Sequence, residues 1–342
     1  MSPNLENWNL VTTEKLFDVK ITKGIDFFTN DMGHIKLYVK HPDHNMQDDT
    51  AAFEAWVLLM HCKTNGEVVL SFKEIDWNGA LCSGQPRYMR FLFRAWKFSE
   101  QFPWFAIVEE QKNIIEMFKK EFMDLKNEGI LINNVPDKES GLSKSTSGNW
   151  EHLYENAFVR MDQARNILME KVKEADGTIL LNLFNQLPNG LFKGKTEKDI
   201  KAENRIFPTG YFDMWGIDDK NELCLFELKV NDEQSKDVEN KKLGILSQLF
   251  FYANYSKEML MDNHLCDSNK KFRGYDQLLD ASNKGITKIK AYFLASKYHP
   301  QIAENITCLK ESLNNNLDIE YTFLEFDEQQ IKPFVERLQA LE

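Results

Sequence analysis

Two alternating apolar runs, at residues 211–217 and 223–230, flank the turn Asp218-Asp219-Lys220-Asn221 and predict an antiparallel hairpin. Residues alternate sides along a strand, so Glu227 and Lys229 must project from one face of the second strand. The short turn brings Asp213 alongside them, which places two acids and one lysine at one end of a sheet. Further strand patterns fall at 178–184, 289–295 and 319–326, and helical patterns at 150–174, 243–261 and, behind Pro300, 301–313. These elements predict an α/β domain over 150–342 in which Asp213, Glu227 and Lys229 sit on adjacent central strands of a mixed sheet flanked by helices.

The first 135 residues predict a separate α+β domain. Apolar runs occur at 16–21, 35–39, 53–62 and 68–72, and Asn65-Gly66 between the last two predicts a hairpin. Helices are expected at 87–101, following Pro86, and at about 111–126. Residues 136–149 are polar and rich in Ser and Gly, a composition that cannot bury a core, and are read as the linker between domains. The charge-interleaved stretch 231–242 is expected to be mobile.

Composition narrows the picture without deciding it. At 42% hydrophobic residues the chain is ordinary for a globular protein, it carries no apolar run of membrane-spanning length, and a cytoplasmic protein is expected. Its five cysteines are scattered without Cys-x-x-Cys spacing and are expected to be free thiols. A net charge of −11 weighs against indiscriminate nucleic-acid binding but leaves room for a local basic groove. Arg87, Arg90, Arg94 and Lys97 recur at helical spacing and form a candidate phosphate-tracking stripe, for which a solvated helix face is the plainer reading. Lys201 and Arg205, in a lysine-rich segment leading to the Asp213 strand, are candidate contacts to a substrate backbone, although interleaved acids keep the local charge modest. His41, Asp43 and His44 have metal-like side chains but no recognised ligand spacing, and are read as a solvated loop.

Two carboxylates beside a lysine suit a hard cation: Mg2+ takes one or two carboxylates while water and phosphate fill its remaining positions. Mn2+ is expected to substitute. A lysine beside the ion can position water and offset charge developing on phosphate.

Asp213, thirteen intervening residues, Glu227-Leu228-Lys229 and then Gln248-x-x-x-Tyr252 resemble the PD-(D/E)xK nuclease superfamily, with the Gln and Tyr similar to its RecB-type branch and to archaeal mismatch-type endonucleases. Phe212 stands where the superfamily's name has Pro. The core of the resemblance covers about forty residues. It implies a restriction-endonuclease-like fold and a Mg2+-dependent endonuclease, more than an exonuclease, acting on nucleic acid, DNA first, in defence or repair. It also implies that Asp213 and Glu227 hold the metal with Glu155 of the opening helix, Glu151 being second choice, and that Gln248 and Tyr252 line the same cleft. Other readings of the chain are a catalytically silent nucleic-acid-binding module and a regulated effector subunit of a defence complex, and a homodimer or larger assembly fits either.

Overall fold

The computed structural model describes residues 8–11, 24–31, 33–46, 52–137, 150–230 and 243–341. The expected strand 16–21, most of the expected linker and the stretch 231–242 lie outside these residues. No helix among the described residues is long and apolar enough to cross a membrane.

The first half is built on five strands, β1 (Asn9–Val11), β2 (Ile25–Thr29), β3 (Ile35–Val39), β4 (Val68–Phe72) and β5 (Phe105–Ile107), in that spatial order. β1, β2 and β3 pair antiparallel, whereas β3, β4 and β5 pair parallel. Parallel pairing needs crossovers, and helices α1 (Phe53–Thr64) and α2 (Pro86–Gln101) provide them. The expected hairpin at Asn65-Gly66 is therefore corrected: its first run is α1, and Asn65, at φ 51°, is the left-handed cap whose N–H closes on the His61 carbonyl. Every residue from Phe53 to Met60 is buried, so α1 has no polar stripe to betray a helical period. Helix α3 (Glu109–Asn127) and strand β6 (Leu131–Asn133) complete this half.

The second half opens with two helices rather than one, α4 (Trp150–Arg160) and α5 (Asp162–Asp176), which break at the extended Met161. The expected strand 178–184 is displaced to β7 (Phe184–Pro188), followed by β8 (Leu191–Lys193), β9 (Arg205–Phe207), β10 (Tyr211–Ile217) and β11 (Leu223–Lys229). Helix α6 (Gly244–Ser256) runs into a π-helical turn at Lys257–Met261. Then come α7 (Tyr275–Lys284), β12 (Ile289–Ala295), α8 (Pro300–Glu304), α9 (Ile306–Leu313), β13 (Ile319–Glu325) and α10 (Glu328–Leu341). The main sheet has the order β13-β12-β11-β10-β7, with β11, β12 and β13 parallel and β10 antiparallel to both neighbours. The mixed α/β sheet with β10 and β11 adjacent is as the alternation predicts.

β11 shows how the sheet creates a site. Cys224, Phe226 and Leu228 face a core with Phe158, Leu168, Val172 and Ile331, while Leu223 and Leu225 face a second core with Leu249 and Phe250 of α6. Glu227 and Lys229 continue the second face at the end of the strand.

The two halves share a core. β6 pairs with β8, which pairs with β9, and one apolar cluster holds Phe93 of α2, Phe207 of β9 and Phe251 of α6, with ring centroids 5.3 and 6.0 Å apart for Phe93–Phe207 and Phe93–Phe251. Polar composition between two segments does not by itself keep them apart. Cys62 of α1 is bonded to Cys308 of α9 across 246 residues, with Cα atoms 5.6 Å apart, which corrects the expectation of five free thiols; Cys82, Cys224 and Cys266 are free.

A buried ion cluster also crosses between the halves. Glu258 accepts from Lys97 of α2 at 2.5 Å and from Lys126 of α3. Burial opposes ionisation of Glu258, but the two lysines outweigh it and hold the carboxyl below its ordinary range. Glu258→Gln is expected to cost about 3 kcal/mol at pH 7, the low end for a broken buried pair because Glu100 and Asp262 still meet the lysines. The sign follows from the depressed value: the stabilisation is full above the unfolded glutamate pKa of about 4.3 and is lost as pH falls through the folded one. Urea titrations of both proteins over a series of falling pH values should show the gap between them narrow once the pH drops below the unfolded glutamate value.

Candidate functional site

The hairpin register places Asp213 opposite Glu227, since Met214 pairs with Phe226. The Leu228 N–H donates to Asp213 Oδ2 at 2.8 Å, which ties this carboxylate to the neighbouring strand. Lys229 Nζ donates to Glu227 Oε1 at 2.9 Å and to the Leu228 carbonyl at 3.0 Å, and lies 3.5 Å from Glu151 Oε2 on α4. Glu227 is 0% exposed and Lys229 8%, whereas Asp213 keeps intermediate exposure.

Helix α4 supplies the other wall. Glu155 is 4% exposed, with Oε2 3.3 Å from His152 Nδ1 and 3.4 Å from the Gln186 amide nitrogen. Gln186 Nε2 also meets His152 Nδ1 at 2.9 Å. Gln186 adopts φ 49° in mid-strand, a conformation disfavoured for a residue with a side chain, on the strand next to Asp213. Beside this group, Asn156 accepts from Asn185 at 3.1 Å. His152 and Gln186 carry no sequence signal of their own, because their role depends on α4 crossing β7.

The charge balance of the cluster is its main chemical property. Burial, reinforced by the charges of Glu227 and Glu155, drives the Asp213 carboxyl well above its usual range, and Lys229 opposes the shift. Burial also pushes Glu227 up, to about 7, against the pull of Lys229. Burial works against the Lys229 ammonium, but Glu227, Glu151 and Asp213 outweigh it and hold the lysine charged. Acids outnumber the single lysine in a desolvated space, and Glu227 Oε2 is buried with no hydrogen-bond partner among the described residues. An orphaned carboxylate oxygen beside a second carboxylate suits a hard cation, which bonds oxygen and keeps several waters of its own.

Gln248 and Tyr252 of α6 are brought to the same place, at 3% and 1% exposure. Burial raises the Tyr252 hydroxyl far above its normal pKa and the Glu227 and Asp213 charges add to this, while a hydrogen bond with Gln248 counters it. The phenol is therefore an O–H donor beside the acids at any ordinary pH. Tyr255 instead packs, donating to the Gly190 carbonyl at 3.1 Å.

The remaining predicted residues fare differently. Asp213, Glu227 and Glu155 do not close into one ligand set: among the described residues, the side chains whose ligand atoms all lie within 4.8 Å of one another are His41, Asp43 and His44, on the partly exposed loop after β3. Glu155 is drawn aside by its contacts with His152 and Gln186. The cationic stripe on α2 is corrected at Arg90, Arg94 and Lys97, which are buried, while Arg87 is exposed. Arg94 is 1% exposed and its guanidinium grips the fully buried Glu54 of α1, with Nε donating at 2.6 Å; Lys97 belongs to Glu258. Arg90 is 4% exposed, donates to Asn45 at 3.2 Å and lies 5.6 Å from the Phe251 ring. Its guanidinium pKa is lowered to about 10, by burial first and then by Arg94, with Tyr252 opposing. Arg90 thus backs Tyr252 from inside the protein and does not line its surface. Lys201 is exposed, ahead of the short turn that precedes β9, and Arg205 is half-buried at the start of β9 on the smaller sheet, its guanidinium 5.8 Å from the Phe192 ring. No protein-family model matches this chain, nor does any curated protein or any solved structure.

Proposed function

We propose that this chain hydrolyses phosphodiester bonds in nucleic acid, DNA first, with a divalent cation held by Asp213 and Glu227. The observation that carries the reading is the Asp213–Glu227 pair, in which the buried Glu227 keeps an orphaned oxygen, next to a lysine held positive. When bound, the cation supplies Lewis acidity and a water of lowered pKa. Lys229, fixed by Glu227 at 2.9 Å, directs its ammonium at the place where negative charge grows on phosphate. Tyr252 keeps its proton and offers an O–H to the same space, oriented by Gln248. Glu155, with His152 and Gln186, closes the far wall.

A second reading, a nucleic-acid-binding module without turnover, draws support from the open ligand set, since Glu155 is committed to neighbours. One incubation separates the two. Plasmid, linear duplex, single-stranded DNA and RNA are each given to the full chain in Mg2+, Mn2+, Ca2+ or excess EDTA. Cleavage is expected in Mg2+ and Mn2+, binding with little turnover in Ca2+, and none in EDTA. Binding without cleavage in every metal favours the silent module, and undiminished cleavage in EDTA removes the metal from the mechanism.

A further inference from the structure

At the Tyr211 end of β10 lies a cavity of about 300 Å³ that the residues of the cleavage site do not explain. Tyr211, Arg273, Lys270, Glu197, Asn134 and Asp137 are among the residues that line it. Its volume is at the low end for small-ligand sites, enough for one compact group and too small for a duplex. Tyr211 is 45% exposed, large for an aromatic side chain, and the Arg273 guanidinium lies 5.5 Å from its ring centre.

Backbone strain gathers at this place. Arg273 holds φ 55° and is followed by Gly274 at φ 74°, where a Cβ would meet the Phe184 ring at 2.6 Å. Arg273 Nη1 donates to the Gln186 carbonyl at 2.7 Å, and Gln186 is itself at φ 49°. Such conformations persist where the surroundings enforce them, which is common at ligand sites. Gln186 also joins the cavity to the acids: its carbonyl is held by Arg273, while its side chain reaches Glu155. Tyr211 lies two residues before Asp213 on β10, about 7 Å along the strand.

The polar lining balances in charge. Lys270 and Arg273 are offset by Asp137 and by Glu197, the last already engaged by Lys270 at 3.3 Å and by the Ser268 hydroxyl. A phosphate would find no surplus of positive charge here. A nucleobase is neutral, has a face for stacking and carries edges that amides and carboxylates can read.

We infer that this cavity receives an unpaired nucleobase next to the phosphate held at Asp213 and Glu227, stacked on Tyr211. The inference rests on the nucleic-acid reading of the site and adds to it that the substrate strand is single or opened at that nucleotide.

The test places the fluorescent adenine analogue 2-aminopurine at each position in turn of a short single-stranded DNA, which is bound to the full chain in Ca2+. Stacking on Tyr211 should quench emission at one position and not along the strand. Tyr211→Ala should abolish that quench and weaken binding roughly 5- to 150-fold, and Tyr211→Phe should restore both. Equal quench and affinity in the parent and Tyr211→Ala would overturn the inference, as would quenching at no position. Cleavage of the same strand by the parent in Mg2+ is read separately. Cleavage without a Tyr211-dependent quench removes the base pocket alone, while a Tyr211-dependent quench without cleavage keeps the pocket and removes the nuclease reading.

Discussion

Lys229→Ala is expected to lower the rate of phosphodiester cleavage roughly 10²- to 10³-fold while leaving DNA affinity in Ca2+ nearly unchanged. The ammonium meets charge that exists only in the transition state, so its loss acts on turnover and not on ground-state binding. Glu227→Ala should differ in kind, because it removes a cation ligand and weakens Mg2+ affinity together with turnover, and Asp213→Asn should follow it. The three groups are also one another's partners, since Lys229 answers Glu227, Glu151 and Asp213 in a buried space. Each variant therefore needs its thermal midpoint measured first, as an uncompensated buried charge alone can cost several kcal/mol. A folded Lys229→Ala protein that cuts at the parental rate would leave Glu227 and Lys229 as a salt-bridged strand end.

Arg94→Met is expected to destabilise the protein by about 3–5 kcal/mol, a large share of the roughly 5–15 kcal/mol that holds an ordinary domain together. Arg94 and Glu54 are 1% and 0% exposed, so removing the guanidinium strands a carboxylate in the core where α1 and α2 meet. Urea denaturation gives the size of the loss. The opposing idea, that Arg94 tracks phosphates, predicts a parental midpoint together with a flatter dependence of DNA affinity on salt.

Arg94 also shows which parts of the molecule were legible in the sequence. Steps of three and four residues put charged side chains on one helix face but do not say whether water or Glu54 lies opposite. Glu54 was hidden because its own helix, buried all round, has the uniform apolar look of a strand, and because Asn65-Gly66 serves a helix cap as well as a hairpin. Glu227 and Lys229 were legible for the opposite reason. Period 2 is strict in a strand, so sharing a face follows from spacing alone, and the short turn then delivers Asp213. His152 and Gln186 were out of reach, since both act where α4 crosses β7 and Gln186 does so through an unusual φ. The disulfide between Cys62 and Cys308 was equally out of reach, because 246 residues of chain separate its halves. The polar composition at 136–149 carries no information on packing between its flanks, whereas Phe93, Phe207 and Phe251 share one apolar cluster drawn from both halves.

Titrating Mn2+ into the metal-free protein by calorimetry, with Glu227→Gln beside the parent, tests the cation site directly. The parent is expected to bind Mn2+ and a folded Glu227→Gln protein to lose that binding, because the orphaned Oε2 and its partner Asp213 are what the ion meets. Mn2+ binding of equal affinity in the two proteins, or none in the parent, would contradict it.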